Sequence, residues 1–189
     1  MVCRRGRWLT KYYFDMETTG FNPSEDKIIT IQFQKLDRST GEPIGDLKIL
    51  KEWESSEKEI LTEFLPYVTR YIWDFIMIGN NLLFEFSFLT YRAKKHGLHN
   101  FDIRHWYDRA WIDLKPILIM INEGEFIGYP DLLVKTGDVS GGDIPGLYND
   151  KQWPEIVKYI QDEAEGFIKA FKILNMEMPS LSEKLLQAQ

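Results

Sequence analysis

The sequence predicts an α/β domain built on a mixed β-sheet: a three-strand antiparallel meander extended by parallel strand pairing and flanked by helices. Three observations carry this expectation. Strand-like stretches follow one another across short loops between Leu9 and Trp53, a short apolar run at Phe75–Ile78 lies between two helical patterns, and the C-terminal third reads as helix.

The first strand is expected over roughly Leu9 to Met16, and it delivers Asp15 and Glu17 just before the turn Thr18-Thr19-Gly20. Residues two apart in extended backbone share a face. Two carboxylates held that close repel, so a fold tolerates them where a cation lies between them or one pKa is pushed up; the plain alternative is a surface strand with two solvated acids. Phe21 to Lys27 contains Asn, Pro, Ser and Asp and reads as loop. Ile28 to Leu36 alternates Ile29, Ile31 and Phe33 against Thr30, Gln32 and Gln34, which predicts a strand with one buried face. Asp37 to Pro43 turns the chain into a third strand, Ile44 to Trp53.

Ser56 and Glu59 form a capping box that opens a helix through Ile60, Leu61, Phe64, Leu65 and Val68. After the Phe75–Ile78 strand, Gly79-Asn80-Asn81 turns into a helix from about Phe84 to His96, stopped by Gly97. Ile112 to Ile121 is expected to be helical, with Pro116 tolerated in a first turn. Gly137 to Pro145 is rich in glycine and proline and is expected to be a mobile loop. Trp153 to Leu174 predicts a long amphipathic helix, and Ser180 with Glu183 a last short one. Residues 1–189 are read as one domain, without repeat or linker.

Composition narrows the class. With 44% hydrophobic and 14% aromatic residues, disorder and fibrous classes are excluded. The net charge of -6 argues against a broadly basic, nucleic-acid-coating surface but leaves local patches open. One cysteine, Cys3, excludes an intrachain disulfide and a Cys-based zinc site and suits a reducing compartment. Arg4, Arg5 and Arg7 precede no apolar signal segment, and no apolar run is long enough to cross a membrane, so a soluble, cytoplasmic protein with no membrane association is expected.

Two further acids stand where they can join the first pair. Glu85 begins a helix among Phe84, Phe86 and Phe88, where a buried carboxylate needs a partner or a cation; an ordinary first-turn Glu is the alternative. On the last long helix, at about 100° per residue, Ile156, Ile160, Ala164, Phe167 and Phe171 share the core face. Tyr159 and Glu163 lie together on its flank, whereas Asp162 points nearly opposite.

The ordered set of an Asp-x-Glu-Thr-Thr-Gly strand end, an Asn81-x-x-Phe84-Glu85 helix start and a Tyr159-x-x-x-Glu163 helix resembles the DEDD superfamily of 3′-to-5′ exonucleases, over about residues 10 to 172. Ile112-Asp113-Leu114 is similar to the region where many of these enzymes carry an Asp beginning a helix. The resemblance implies an RNase H-like fold, the tyrosine variant of the family, and hydrolysis of DNA or RNA from the 3′ end with two Mg²⁺ or Mn²⁺ ions. It implies Asp15, Glu17, Glu85 and Glu163 as metal ligands, Tyr159 orienting the attacking water, and Thr18, Thr19, Gly20, Asn81 and Phe84 at the terminal nucleotide. The chain departs from the family in having Glu85 and Glu163 where aspartate is usual, with Asp162 as the neighbouring alternative to Glu163. The extra methylene leaves a second possibility, an exonuclease-like domain with weakened catalysis that binds nucleic acid or a protein partner. Arg92, Lys94, Lys95, Arg104 and Arg109, interleaved with His96, His99, His105, Trp106 and Tyr107, suggest a grip on single-stranded nucleic acid or else a solvated helix end and loop.

Overall fold

The computed structural model describes residues 10–69, 75–100, 102, 104–121, 124 and 141–187, with side chains to residue 176. The start of the first strand at Leu9, Cys3 and the N-terminal arginines, residues 71–74 before the apolar run and residues 137–140 of the Gly/Pro-rich segment lie outside that range. The elements are β1 (Lys11–Thr18), β2 (Ile28–Leu36), β3 (Pro43–Lys51), α1 (Glu57–Thr69), β4 (Ile76–Gly79), α2 (Leu82–Lys95), α3 (Arg104–Tyr107), β5 (Trp111–Asp113), α4 (Leu114–Ile121), α5 (Ile144–Asn149) and α6 (Trp153–Gln187).

The strands form one mixed sheet in the order β3-β2-β1-β4-β5. The meander pairs antiparallel, while β1 pairs with β4, and β4 with β5, in parallel. Helices α1 and α2 cover one face, where Phe14, Ile31 and Phe33 pack against Phe64, Phe86 and Leu89. Helices α4 and α6 cover the other, where Tyr13 and Ile78 meet Leu118, Phe167 and Phe171. Alternation along β1 therefore sends Phe14 and Met16 toward α1 and α2, and Tyr13, Asp15 and Glu17 toward α6. The predicted core face of α6 holds, with Ile156, Ile160, Ala164, Phe167 and Phe171 all buried. The capping box also forms: Glu59 N–H donates to Ser56 Oγ at 3.2 Å, and that hydroxyl reaches Glu59 Oε2 at 3.0 Å.

Several expectations are corrected. Residues 28–33 of β2 are buried on both faces, Thr30 and Gln32 included, because α5 and α6 cover the side expected to be wet, while Gln34 stays half-buried. Ile29 does not share a face with Ile31 and Phe33. The register shifts from Glu17↔Thr30 to Thr18↔Ile28, leaving Ile29 as an extra residue that turns into the cluster of Ile144, Ile156 and Ile160. The stretch Ile112–Ile121 is split, since residues 112 and 113 belong to β5 and the helix opens at Leu114 with Pro116 in its first turn. Finally, α6 continues to Gln187 with no separate last helix. The third strand also ends at Lys51, with Trp53 in a 3₁₀ turn. Within the predicted mobile segment, Gly141–Asp143 forms a 3₁₀ turn and α5 follows directly. Among the described residues no helix is long and apolar enough to cross a membrane.

Gly79 closes β4 where the backbone of β1 passes closest. A Cβ at this position would lie 2.6 Å from the Phe14 carbonyl oxygen, a backbone atom that cannot rotate aside. Gly79→Ala is therefore expected to destabilise the fold by about 1–3 kcal/mol through overpacking. A thermal or urea melt checks this, and an unchanged midpoint would mean that the two strands separate freely.

Candidate metal centre

The carboxyl ends of β1, β4 and β5 lie at the same end of the sheet, the place where open α/β sheets bind ligands. Each delivers an acid or its support there. From β1 come Asp15 and Glu17, and one flank of α6 adds Glu163. Single carboxylate oxygens from Asp15, Glu17 and Glu163 all lie within 4.8 Å of one another. Asp162 is not part of this set, as the helical angle predicted.

Glu85 enters from α2, on the opposite layer. It falls outside the 4.8 Å set, but it is buried and feels the charges of Asp15 and Glu163. Burial, followed by the charges of Asp15, Asp113 and Glu163, raises its pKa well above the usual carboxylate range. Its Oε2 is buried with no hydrogen-bond partner among the described residues. A buried, orphaned carboxylate oxygen under the charge of neighbouring acids is the kind of donor a hard divalent cation takes.

Tyr159 is 6% exposed and hydrogen-bonded to Glu163. Burial, then the charges of Glu163 and Glu17, push its pKa far up, so the hydroxyl stays protonated and acts as a donor.

Two supports escaped sequence reasoning. Gln32 Nε2 donates to Asp15 Oδ2 at 3.1 Å, and Thr30 Oγ1 donates to Gln32 Oε1 at 2.9 Å. Tyr13, also buried, points its hydroxyl at the same Asp15 oxygen at 3.5 Å. The strand alternation that placed Gln32 on a wet face is the signal that would have found it, since it puts Gln32 directly across from Asp15 in the β1–β2 register. Asp113, noted for its position, has a definite task. Its carboxylate accepts from the backbone N–H groups of Asn81 and Leu82 at 2.8 Å each and from Lys115 at 3.0 Å, fixing the start of the helix that carries Glu85.

A cleft of about 360 Å³ opens over the acids, lined by Thr18, Gly20, Phe21, Asn81, Phe84 and Glu163, with Gly141 and Gly142 on its far side. Thr18, Gly20, Asn81 and Phe84 thus all line this cleft. Thr19 does not line it: its hydroxyl bonds Asp26 and accepts from Lys27 N–H, closing the loop. Asn81 holds a left-handed conformation, φ 66°, which a short polar side chain tolerates, and Lys115 Nζ donates to its Oδ1 at 3.0 Å.

The expected basic grip is largely dismantled. Glu57 accepts from Arg92 Nε at 2.7 Å and from Ile28 N–H at 2.8 Å, and it pairs with His96 Nε2 at 2.6 Å, so Arg92 and Glu57 are both buried. Arg109 is buried as well and donates to the Val68 carbonyl, while Trp106 stacks under Phe86. These residues hold α1, α2 and α3 together, and the cations left exposed are Lys94, Lys95 and Arg104.

Fold and site together define an α/β protein whose acids converge at the carboxyl ends of its parallel strands. A family model of the RNase_H superfamily matches residues 12–155, and the chain belongs to that superfamily. An uncharacterized protein of Methanocaldococcus jannaschii is 27% identical over 184 residues, covering 88% of this chain and 96% of the relative. Solved structures of E. coli exonuclease I share the fold. The zinc-bound complex with single-stranded DNA superposes with a TM-score of 0.57 at 13% identity, covering 96% of this chain and 43% of that chain. The complex with a dT13 oligonucleotide gives 0.56 at 14%, covering 95% and 44%. The chain thus spans less than half the length of the exonuclease I chains it matches, and at these identities the likeness is one of fold.

Proposed function

We propose that this chain, as a single domain, is a metal-dependent 3′-to-5′ exonuclease of the tyrosine type, acting on single-stranded DNA or RNA. The observation that carries the proposal is the convergence of Asp15, Glu17 and Glu163 within 4.8 Å, with Glu85 buried, unpartnered at Oε2 and under the charge of Asp15 and Glu163. The single-stranded DNA in the exonuclease I complexes adds support of a general kind. Oxygen donors of this sort suit Mg²⁺ or Mn²⁺, and Asp15, Glu17, Glu85 and Glu163 would hold them. Bound there, two such ions would supply Lewis acidity for the attacking water and charge stabilisation for the leaving 3′ oxygen.

The chain's own groups do the rest. Tyr159, held protonated with its O–H on Glu163, offers its hydroxyl oxygen as the acceptor that orients the water rather than acting as an outright base. Gln32 and Tyr13 hold Oδ2 of the Asp15 carboxylate in place. Asp113 sets the helix start that brings in Glu85, and Thr18, Gly20, Asn81 and Phe84 line the space for the terminal nucleotide.

The test is 5′-labelled single-stranded DNA and RNA incubated with Mn²⁺ or Mg²⁺. A ladder shortening from the 3′ end is expected, and products cut at internal positions would overturn the exonuclease assignment. One observation favours a second reading: Glu85 lies outside the tight acid set, as a domain that binds but cleaves weakly would have it. Metal-dependent binding without a ladder would select that reading.

Gln32→Leu is expected to lower Mn²⁺ affinity by about 10–100-fold, the usual cost of losing a group that orients a metal ligand. Isothermal titration with Mn²⁺ checks this without relying on turnover. Affinity equal to wild type would show that Asp15 needs no such support.

A further inference from the structure

The exposed side of α2 leads away from the candidate site. Phe84, Ser87, Tyr91 and Lys94 recur at intervals of three and four residues and so share one stripe. Phe84 floors the cleft over the acids, one turn before Ser87, whose hydroxyl bonds the Phe84 carbonyl. Beyond it Ser87, Thr90, Tyr91 and Lys94 floor a second groove of about 570 Å³, with Pro23 and Asn100 on its sides. From Phe84 to Lys94 the helix rises roughly 15 Å.

One wall is the loop after Gly20, and it is braced rather than loose. Asn22 N–H donates to Asp26 at 2.8 Å and Ser24 N–H to Asn22 Oδ1 at 3.1 Å. Arg92 Nη1 and Lys95 Nζ tie the carbonyls of Pro23 and Ser24 to α2 at 3.3 and 3.2 Å. Apolar rings stand open along the way: Phe21 is 85% exposed and meets Phe84 edge-on at 6.2 Å, and Tyr91 is 43% exposed. Charge changes sign along the stripe, from the carboxylates at the helix start to Lys94 and Lys95 at its end. Asp102, which also lines the groove, is paired with Arg104.

We propose that this stripe is the track that carries a single nucleic-acid strand away from its 3′ terminus, with Tyr91 stacking a base and Lys94 meeting a phosphate upstream of the cleft. The inference rests on the exonuclease reading. The occupant is a single strand because the groove follows the cleft along the same stripe of α2, offers the exposed ring of Tyr91 and places the exposed cation of Lys94 at its far end. Aromatic stacking with a backbone cation is the sequence-tolerant mode of single-strand binding.

The experiment compares a dinucleotide with a single strand of about ten residues, a length within the range such sites cover. Wild type is expected to favour the longer substrate in kcat/KM. Tyr91→Ala is expected to cut that preference about tenfold, in line with the loss of one stacked base, and Tyr91→Phe to restore it. Lys94→Ala is expected to lessen the slope of log affinity against log salt by about 0.7, one phosphate contact on a single strand. Both side chains are exposed, and circular dichroism verifies folding. A preference that survives Tyr91→Ala, with an unchanged salt slope in Lys94→Ala, overturns the track and leaves the exonuclease reading standing. A folded wild type that cleaves neither substrate overturns that reading, and the track with it.

Discussion

Asp15→Asn is expected to abolish metal-dependent cleavage, lowering the rate at least about a thousandfold, because a metal site is worth several kcal/mol of transition-state stabilisation. Asp15 is the residue on which the site converges: it neighbours Glu17 and Glu163 and bears on Glu85 electrostatically. The same substitution is expected to leave the metal-free protein as stable as wild type or more so. Removing one charge relieves repulsion among four acids, and asparagine still accepts the hydrogen bond from Gln32. Metal at about a hundred times its Kd stabilises a folded protein by about 2.7 kcal/mol. For a chain of this size that raises the melting temperature by roughly 5–10 °C. The wild type should show this rise with Mn²⁺ and Asp15→Asn should lose it. A variant that still cleaves, or that melts as though misfolded without metal, would remove Asp15 from the centre of the site.

The second large effect lies away from the acids. Glu57→Gln is expected to destabilise the fold by about 3–5 kcal/mol, because it strands the buried guanidinium of Arg92 without its counter-charge. Converted to temperature, the loss is roughly 10 °C. Arg92→Met added to Glu57→Gln should recover part of it, since the penalty belongs to the unpaired charge rather than to a missing contact.

The pair also sets an acid limit. Burial pushes the Glu57 carboxyl up, but hydrogen bonds from Arg92 and His96 and from the Ile28 N–H outweigh it and hold the folded value below the ordinary 4.5. A depressed folded pKa contributes stability that is complete above the unfolded value and lost as pH falls through the folded one. Urea midpoints should therefore fall more steeply below pH 4.5 in wild type than in Glu57→Gln. Parallel acid limbs would show that the network does not titrate with folding.

Much of the site was legible because its signals are local. Two acids two apart on a strand, and a tyrosine and an acid four apart on a helix flank, declare their directions through backbone periodicity alone. The choice of Glu163 over Asp162 needed only the helical angle, and Asp15, Glu17 and Glu163 do converge. The meander and the core face of α6 came from the same kind of pattern.

What tertiary structure alone decided is which polar residues are withdrawn from solvent and for whom. Gln32 read as a wet strand position; the covering of β2 by α5 and α6 makes it a buried amide that serves Asp15. Ile29 read as facing the same way as Ile31, until a bulge opposite Glu17 turned it over. Arg92, His96 and Arg109 read as surface cations, and the partners that claim them, Glu57 and the Val68 carbonyl, lie some 35 to 41 residues away in sequence. Periodicity fixes the direction in which a side chain leaves its own strand or helix. It is silent about the buried charge or orphaned amide waiting there, because burial is a property of the packed layers and not of the segment.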